Sequence, residues 1–111
     1  MRYTVSLKKN RDFRRLFARG KNRVARPLVL YCFRNRLGSN RLGVSVSTKI
    51  GGAVKRNRVR RRIREAYRLN ESFFSKGYDI VVVARTRALH SDFSELCAAL
   101  TDCAEALGLK A

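Results

Sequence analysis

Acidic side chains are scarce in this chain: eight Asp and Glu stand against 26 Lys and Arg among 111 residues, a net charge of +18. That imbalance exceeds what solubility requires and points to a polyanionic partner, nucleic acid before an anionic membrane. Histidine is scarcer still. His90 has no second histidine with which to form an acid–base pair, and no set of Cys, His and carboxylates has metal-ligand spacing. A Gly-rich phosphate loop ending in Gly-Lys-Ser/Thr is missing as well. A self-contained nuclease site, with a paired acid and base or carboxylates holding divalent metal, is therefore not expected. His90 reads as a loop residue or as a polar group near the cap of the last helix.

Long apolar runs are also missing. The longest, Leu28 to Phe33, is six residues, too short to span a bilayer. The first residues, Met1 to Lys9, hold no apolar segment of the kind a signal peptide needs, so nothing predicts secretion. Cys32, Cys97 and Cys103 form no CxxC and cannot all pair; reduced, buried thiols in a cytoplasmic protein are expected. There is no repeat or low-complexity tract, and 45% of residues are hydrophobic. Residues 1–111 are expected to form one domain, burying roughly two-thirds of the unfolded surface.

What is abundant is unevenly placed. Residues 1–70 hold 22 basic and two acidic residues, whereas residues 71–111 hold four and six. The first part is expected to meet the polyanion and the second to support it. Nine of the twenty residues from Lys49 to Arg68 are basic, and Glu65 alone is acidic. Such a run is either a solvated face or an ordered binding helix. Val59, Ile63, Ala66 and Tyr67 fall at i, i+4, i+7 and i+8, a narrow apolar stripe that a tail would not need. Asn57, Arg61, Arg64 and Arg68 gather opposite it, with Arg60 beside them. A helix beginning at Gly51-Gly52 adds its N-terminal dipole to the field of Lys55, Arg56 and Arg58.

In chain order, residues 10–19 predict a helix capped by Asn10, with Phe13, Leu16 and Phe17 on one face and Gly20 ending it. The rings are either core or, flanked by Arg11, Arg14, Arg15 and Arg19, stacking platforms for unpaired bases. A basic loop over 21–26 leads through Pro27 into a strand, Leu28 to Phe33, apolar on both sides and so expected to be covered on both. Residues 34–41 suit a hairpin turn. Leu42, Val44 and Val46 alternate toward a core, leaving Gly43, Ser45 and Ser47 on a face that is either plain solvent surface or a shallow floor for an extended chain. A loop over 70–78 precedes a buried central strand, Asp79 to Ala84, and Arg85 and Arg87 add two possible phosphate contacts. The last helix, about Asp92 to Leu107, has a capping box (Asp92, Glu95), a core stripe and an acidic outer face. The order α-β-β-α-β-α predicts an α+β sandwich with a small central sheet, including a βαβ unit of default right hand if its strands are parallel.

The stretch from Val44 to Tyr67, with Arg56-Asn57-Arg58 followed by alternating basic and apolar positions, resembles the signature of the bacterial ribonuclease P protein subunit. Lys9 to Phe17 is similar to that family's Phe-x-x-x-Phe helix, Leu28 to Tyr31 to its first strand, and Tyr78 to Arg85 to its strand after the basic helix. The resemblance implies a ribosomal-protein-like fold with a left-handed βαβ crossover. It also implies a part in endonucleolytic hydrolysis of precursor tRNA, in which a catalytic RNA removes the 5′ leader with Mg²⁺ held mainly by RNA. The protein then has no catalytic residue, bound cofactor, small-molecule substrate or membrane partner; its partners are the catalytic RNA and precursor tRNA. By the same resemblance, Phe13, Phe17, Tyr31, Ser45, Ser47 and Lys49 line a leader cleft. Lys55, Arg56, Asn57, Arg58, Arg61, Arg64 and Arg68 contact RNA. Arg62, at the edge of the apolar stripe, is expected to lay its stem along that surface or to pair locally with Glu65. The competing reading is a ribosomal or other structural RNA-binding protein, which needs no aromatic cleft.

Overall fold

A computed structural model of residues 1–111 comprises β1 (Thr4–Ser6), α1 (Asn10–Arg19), β2 (Lys21–Val24), β3 (Leu28–Arg34), β4 (Asn40–Ser45), α2 (Ala53–Leu69), β5 (Tyr78–Ala84) and α3 (Phe93–Ala106). Short 3-10 turns occupy Thr48–Ile50, Glu71–Phe73 and Thr86–His90. The strands form one mixed sheet in the order β1-β4-β5-β3-β2. β5, apolar without a break from Ile80 to Ala84, takes the centre, pairing parallel with β4 and antiparallel with β3. β4 and β5 are joined through α2, which makes the expected βαβ unit.

The mixed α+β class stands, and three expectations are corrected. Residues 21–24, read as loop, are an edge strand antiparallel to β3, with all four residues exposed. Its Lys21 and Arg23 protect the open edge by charge, so it needs no apolar alternation. Residues 4–6 add a second edge strand, parallel to β4. The turn after β3 does not close a hairpin, because β5 inserts between β3 and β4. Burial of its β-branched side chains on both faces outweighs the sequence proximity of its neighbours.

The main core lies between the sheet and α2 with α3. Val59, Ile63, Ala66 and Tyr67, the stripe read from the sequence, are at most 1% exposed. They meet Leu30, Leu42, Ile80 and Val82 from the sheet and Leu96 and Leu100 from α3. On the other face Leu7, Leu16 and Val81 form a smaller cluster packed against Phe13, Tyr31 and Phe33. β3 and β5 are thus covered on both sides.

Polar groups inside this frame are paired. Asn40, wholly buried, accepts the Gly77 and Tyr78 N–H groups at 2.8 and 3.0 Å and donates to the Ser75 carbonyl at 3.0 Å. Arg41 forms a bidentate pair with Asp79 (2.7 and 2.6 Å) and reaches Asp12 of α1 at 3.5 Å, tying that helix to the sheet. α1 begins at Asn10 itself, one residue earlier than expected, with Lys9 rather than Asn10 as its cap. α3 keeps the capping box: Glu95 accepts the Asp92 N–H at 3.3 Å. No disulfide forms; Cys32 and Cys103 are buried and Cys97 is half-buried.

Candidate nucleic-acid interface

α1 and the end of β4 enclose an open cleft of about 550 Å³. Phe13, Arg14 and Phe17 from α1 face Val44, Ser45 and Val46, and Arg60 of α2 closes one side. Tyr31 of β3 stands edge-on to Phe17 with ring centroids 5.0 Å apart, and Phe13 lies 6.5 Å from Phe17. Phe17 is 45% exposed although it sits on the apolar side of its helix, so its ring is available for stacking. Gly43 lets α1 approach: a Cβ there would stand 2.5 Å from Cζ of Phe13. The small face of β4 is therefore divided. Gly43 is buried beneath Phe13, Ser45 lies in the cleft, and Ser47 is exposed beyond the strand.

Ser47 caps the following 3-10 turn by accepting the Lys49 N–H at 3.2 Å. Neither Ser47 nor Lys49 lines the cleft, although both stand exposed close beyond β4. Gly51, at φ 146°, turns the chain into α2, and the Lys55 stem lies against the space where its Cβ would be.

On α2, Asn57, Arg60, Arg61, Arg64, Glu65 and Arg68 line a second groove, of about 410 Å³, on the face opposite the core stripe. Arg60 borders both groove and cleft, and its guanidinium is held by Asn57 Oδ1 at 2.8 Å. Arg56 lies one turn before Arg60, whereas Lys55 and Arg58 share a different flank with Arg62. Arg68 is already paired: its Nε donates to Glu65 at 2.9 Å, and a second bond makes the pair bidentate. The hydrogen bond from Arg68 holds the Glu65 carboxyl below its ordinary range. Arg62 does not pair with Glu65. It turns inward and donates to the carbonyls of Ser91 (2.7 Å) and Ala88 (3.5 Å).

Of the six residues that the resemblance placed in the cleft, Phe13, Phe17 and Ser45 line it and Tyr31 packs edge-on to Phe17, whereas Ser47 and Lys49 do not line it. Arg60 and Arg14 deserved equal weight. Arg60 follows Arg56 at i+4, and Arg14 lies between the two Phe residues, so the spacing already held the signal. Of the other arginines on α1, Arg15 leans toward Asp12 at 4.0 Å and Arg19 lines a different cavity. Arg85 donates to the Ala25 carbonyl at 2.8 Å, while Arg87 is exposed.

No carboxylate lines the cleft, and no three His, Cys, Asp or Glu side chains come together as a metal site. The donors present, amides, a hydroxyl and guanidinium groups, do not fit a protein-held Mg²⁺, which needs carboxylate or phosphate oxygens. Guanidinium groups beside exposed rings do fit a polynucleotide, charge matching phosphate and ring matching base.

Fold and site together define an RNA-binding α+β protein whose basic helix stands beside an aromatic cleft. The family described as Ribonuclease P matches residues 1–108. The ribonuclease P protein component of Clostridium botulinum (strain Langeland) is 45% identical over 104 residues, covering 93% of this chain and 94% of the relative. Among solved structures, the RNase P protein of Staphylococcus aureus superposes with a TM-score of 0.84 at 33% identity, covering 96% of this chain and 97% of that one. The Thermotoga maritima RNase P protein gives 0.80 at 33% identity, covering 87% and 92%. The chain belongs to the bacterial ribonuclease P protein family.

Proposed function

We propose that the protein binds the catalytic RNA of ribonuclease P along α2 and holds the 5′ leader of precursor tRNA in the cleft beside α1. It thereby assists endonucleolytic removal of the leader in the cytoplasm. One observation carries this reading: Phe13, Phe17 and Ser45, with Tyr31 packed edge-on to Phe17, converge in an acid-free cleft that shares Arg60 with the basic face of α2. An extended strand in the cleft can thus continue into RNA bound on the helix. Phe17 and Tyr31 stack on leader bases; Asn57, Arg61 and Arg64 meet phosphates of the structured RNA, with Lys55, Arg56, Arg58 and Arg68 adding field around them. Ser47 and Lys49 extend the rim beyond β4.

The protein's part is placement, which is itself a rate effect because it fixes the substrate in a reactive orientation. The chemistry would fall to the RNA partner, whose phosphates would hold Mg²⁺, a group that supplies an activated water when bound. The test adds the protein to catalytic RNA at low Mg²⁺ and follows 5′ cleavage of precursor tRNA. Stimulation is expected, and its absence overturns the reading. Phe17→Ala or Tyr31→Ala should weaken leader-bearing substrate more than mature tRNA in an equilibrium binding assay; equal losses on both would remove the leader from the cleft.

A further inference from the structure

A second cavity, of about 290 Å³, lies at the edge of the sheet where β2 pairs with β3, away from the cleft. Cys32, Phe33, Tyr78 and Leu107 provide its apolar lining. Three elements supply its charge: Arg19 from the last turn of α1, Lys21 from β2 and Arg34 from the end of β3. We propose that this cavity is a nucleotide site, taking one nucleoside phosphate unit with its ring against Tyr78 and Leu107 and its phosphate among the three cations.

The charge is uncompensated. Every ion pair in the molecule belongs to Arg15, Arg41 or Arg68, so Arg19, Lys21 and Arg34 have no carboxylate partner. Like charges drawn from three elements repel one another until an anion arrives, and guanidinium and ammonium groups bind phosphate by charge-assisted hydrogen bonds. Simple anion binding does not account for the apolar half of the cavity. Tyr78 does: its half-buried side chain packs against the main core, its backbone N–H is held on Asn40 Oδ1 at 3.0 Å, and its hydroxyl has no partner within the protein. A fixed ring with a free hydroxyl can stack on a base and hydrogen-bond to its edge. The volume sits near the lower end of small-ligand sites, roughly 300–1,000 Å³, and matches one nucleotide rather than a strand.

The unit can arrive as a free mononucleotide or as an unpaired nucleotide of a bound RNA. Only the second source rests on the function proposed above. The first test therefore uses the protein without catalytic RNA: amide resonances are followed by NMR during titration with UMP, uridine or inorganic phosphate. UMP should give saturable shifts clustered at Lys21, Phe33, Arg34, Tyr78 and Leu107, and should bind at least about tenfold more tightly than uridine or phosphate alone. Lys21→Ala and Arg34→Ala, both at exposed positions, should each weaken UMP roughly tenfold. Equal binding by phosphate, or shifts scattered over α2 and the cleft, would overturn the site. A photocrosslinker on Asn22→Cys, an exposed β2 position beside the cavity and outside its lining, then assigns the source in the complex with catalytic RNA. Crosslinking to one unpaired nucleotide, lost in Arg34→Ala, identifies RNA; UMP binding without a crosslink identifies the free nucleotide. Failure here leaves cleavage stimulation and the Phe17 comparison untouched.

Discussion

Gly43 shows how a residue without a side chain shapes the cleft. Its missing Cβ is the space into which the Phe13 ring projects, and that contact sets how closely α1 lies on β4. Gly43→Ala must push the ring or the helix outward. The expected cost is about 1–3 kcal/mol of stability, the range for overpacked sites, read from the urea midpoint. The same variant should narrow the affinity difference between leader-bearing and mature tRNA, because Phe13 and Phe17 move together. At the β1 edge of the sheet Glu71 is buried and accepts the N–H groups of Arg2 and Tyr3 at 2.8 and 3.2 Å. Burial pushes its carboxyl up. The hydrogen bonds from the two N–H groups, with the nearby Thr4 hydroxyl and the N-terminal ammonium, outweigh burial and leave it below the ordinary value. A carboxyl lowered on folding adds stability that is complete above the unfolded value, near ~4.3, and is lost as pH falls through the lower folded value. Urea unfolding of the parent chain should show that acid-side loss, and Glu71→Gln should lack its share of it.

At the scale of elements, α2 carries two kinds of arginine that look alike in the sequence. Arg61 faces the groove, whereas its neighbour Arg62 turns inward to the carbonyls that close the Thr86–His90 turn. Those carbonyls have no helix to continue into, and the guanidinium satisfies them while joining α2 to the approach of α3. Arg62→Ala should cost about 1.5–3 kcal/mol of stability, the range for hydrogen bonds to a charged group, yet leave the salt dependence of RNA binding unchanged. Arg61→Ala and Arg64→Ala should behave in the opposite way. Each should lower the slope of log K against log salt by about 0.7–0.9 per lost phosphate contact, with little change in urea midpoint. Filter-binding titrations across a salt series on the three variants separate the roles.

Over the whole molecule, charge is sorted by element. Arg60, Arg61, Arg64 and Arg68 share one face of α2, while Asp92, Glu95, Asp102 and Glu105 stand exposed on α3 and its cap. Such sorting orients the protein on a polyanion before any specific contact forms. Neutralising Asp102 and Glu105 together should therefore leave the salt slope of RNA binding unchanged, in contrast to any removal on α2. The periodic elements of this arrangement were legible in the sequence. The stripe of Val59, Ile63 and Tyr67, the capping box of Asp92 and Glu95 and the β-branched run of β5 each carry their own local signal. The residues of the aromatic cleft were legible too, through their spacing on α1 and the resemblance that spacing supports. Edge strands β1 and β2 were not, since three or four residues paired through backbone and exposed to water leave no apolar pattern. Nor could the order of strands be read, or the partnership of Arg41 with Asp79, 38 residues away. By itself the sequence determined which faces are apolar and which are cationic, because composition and period are local properties. Only the tertiary structure decided that Arg60 joins cleft to groove, that Arg62 leaves the binding face, and that Asn40 and Asp79 are buried. Those outcomes depend on which distant polar groups must satisfy one another once the sheet has closed around β5.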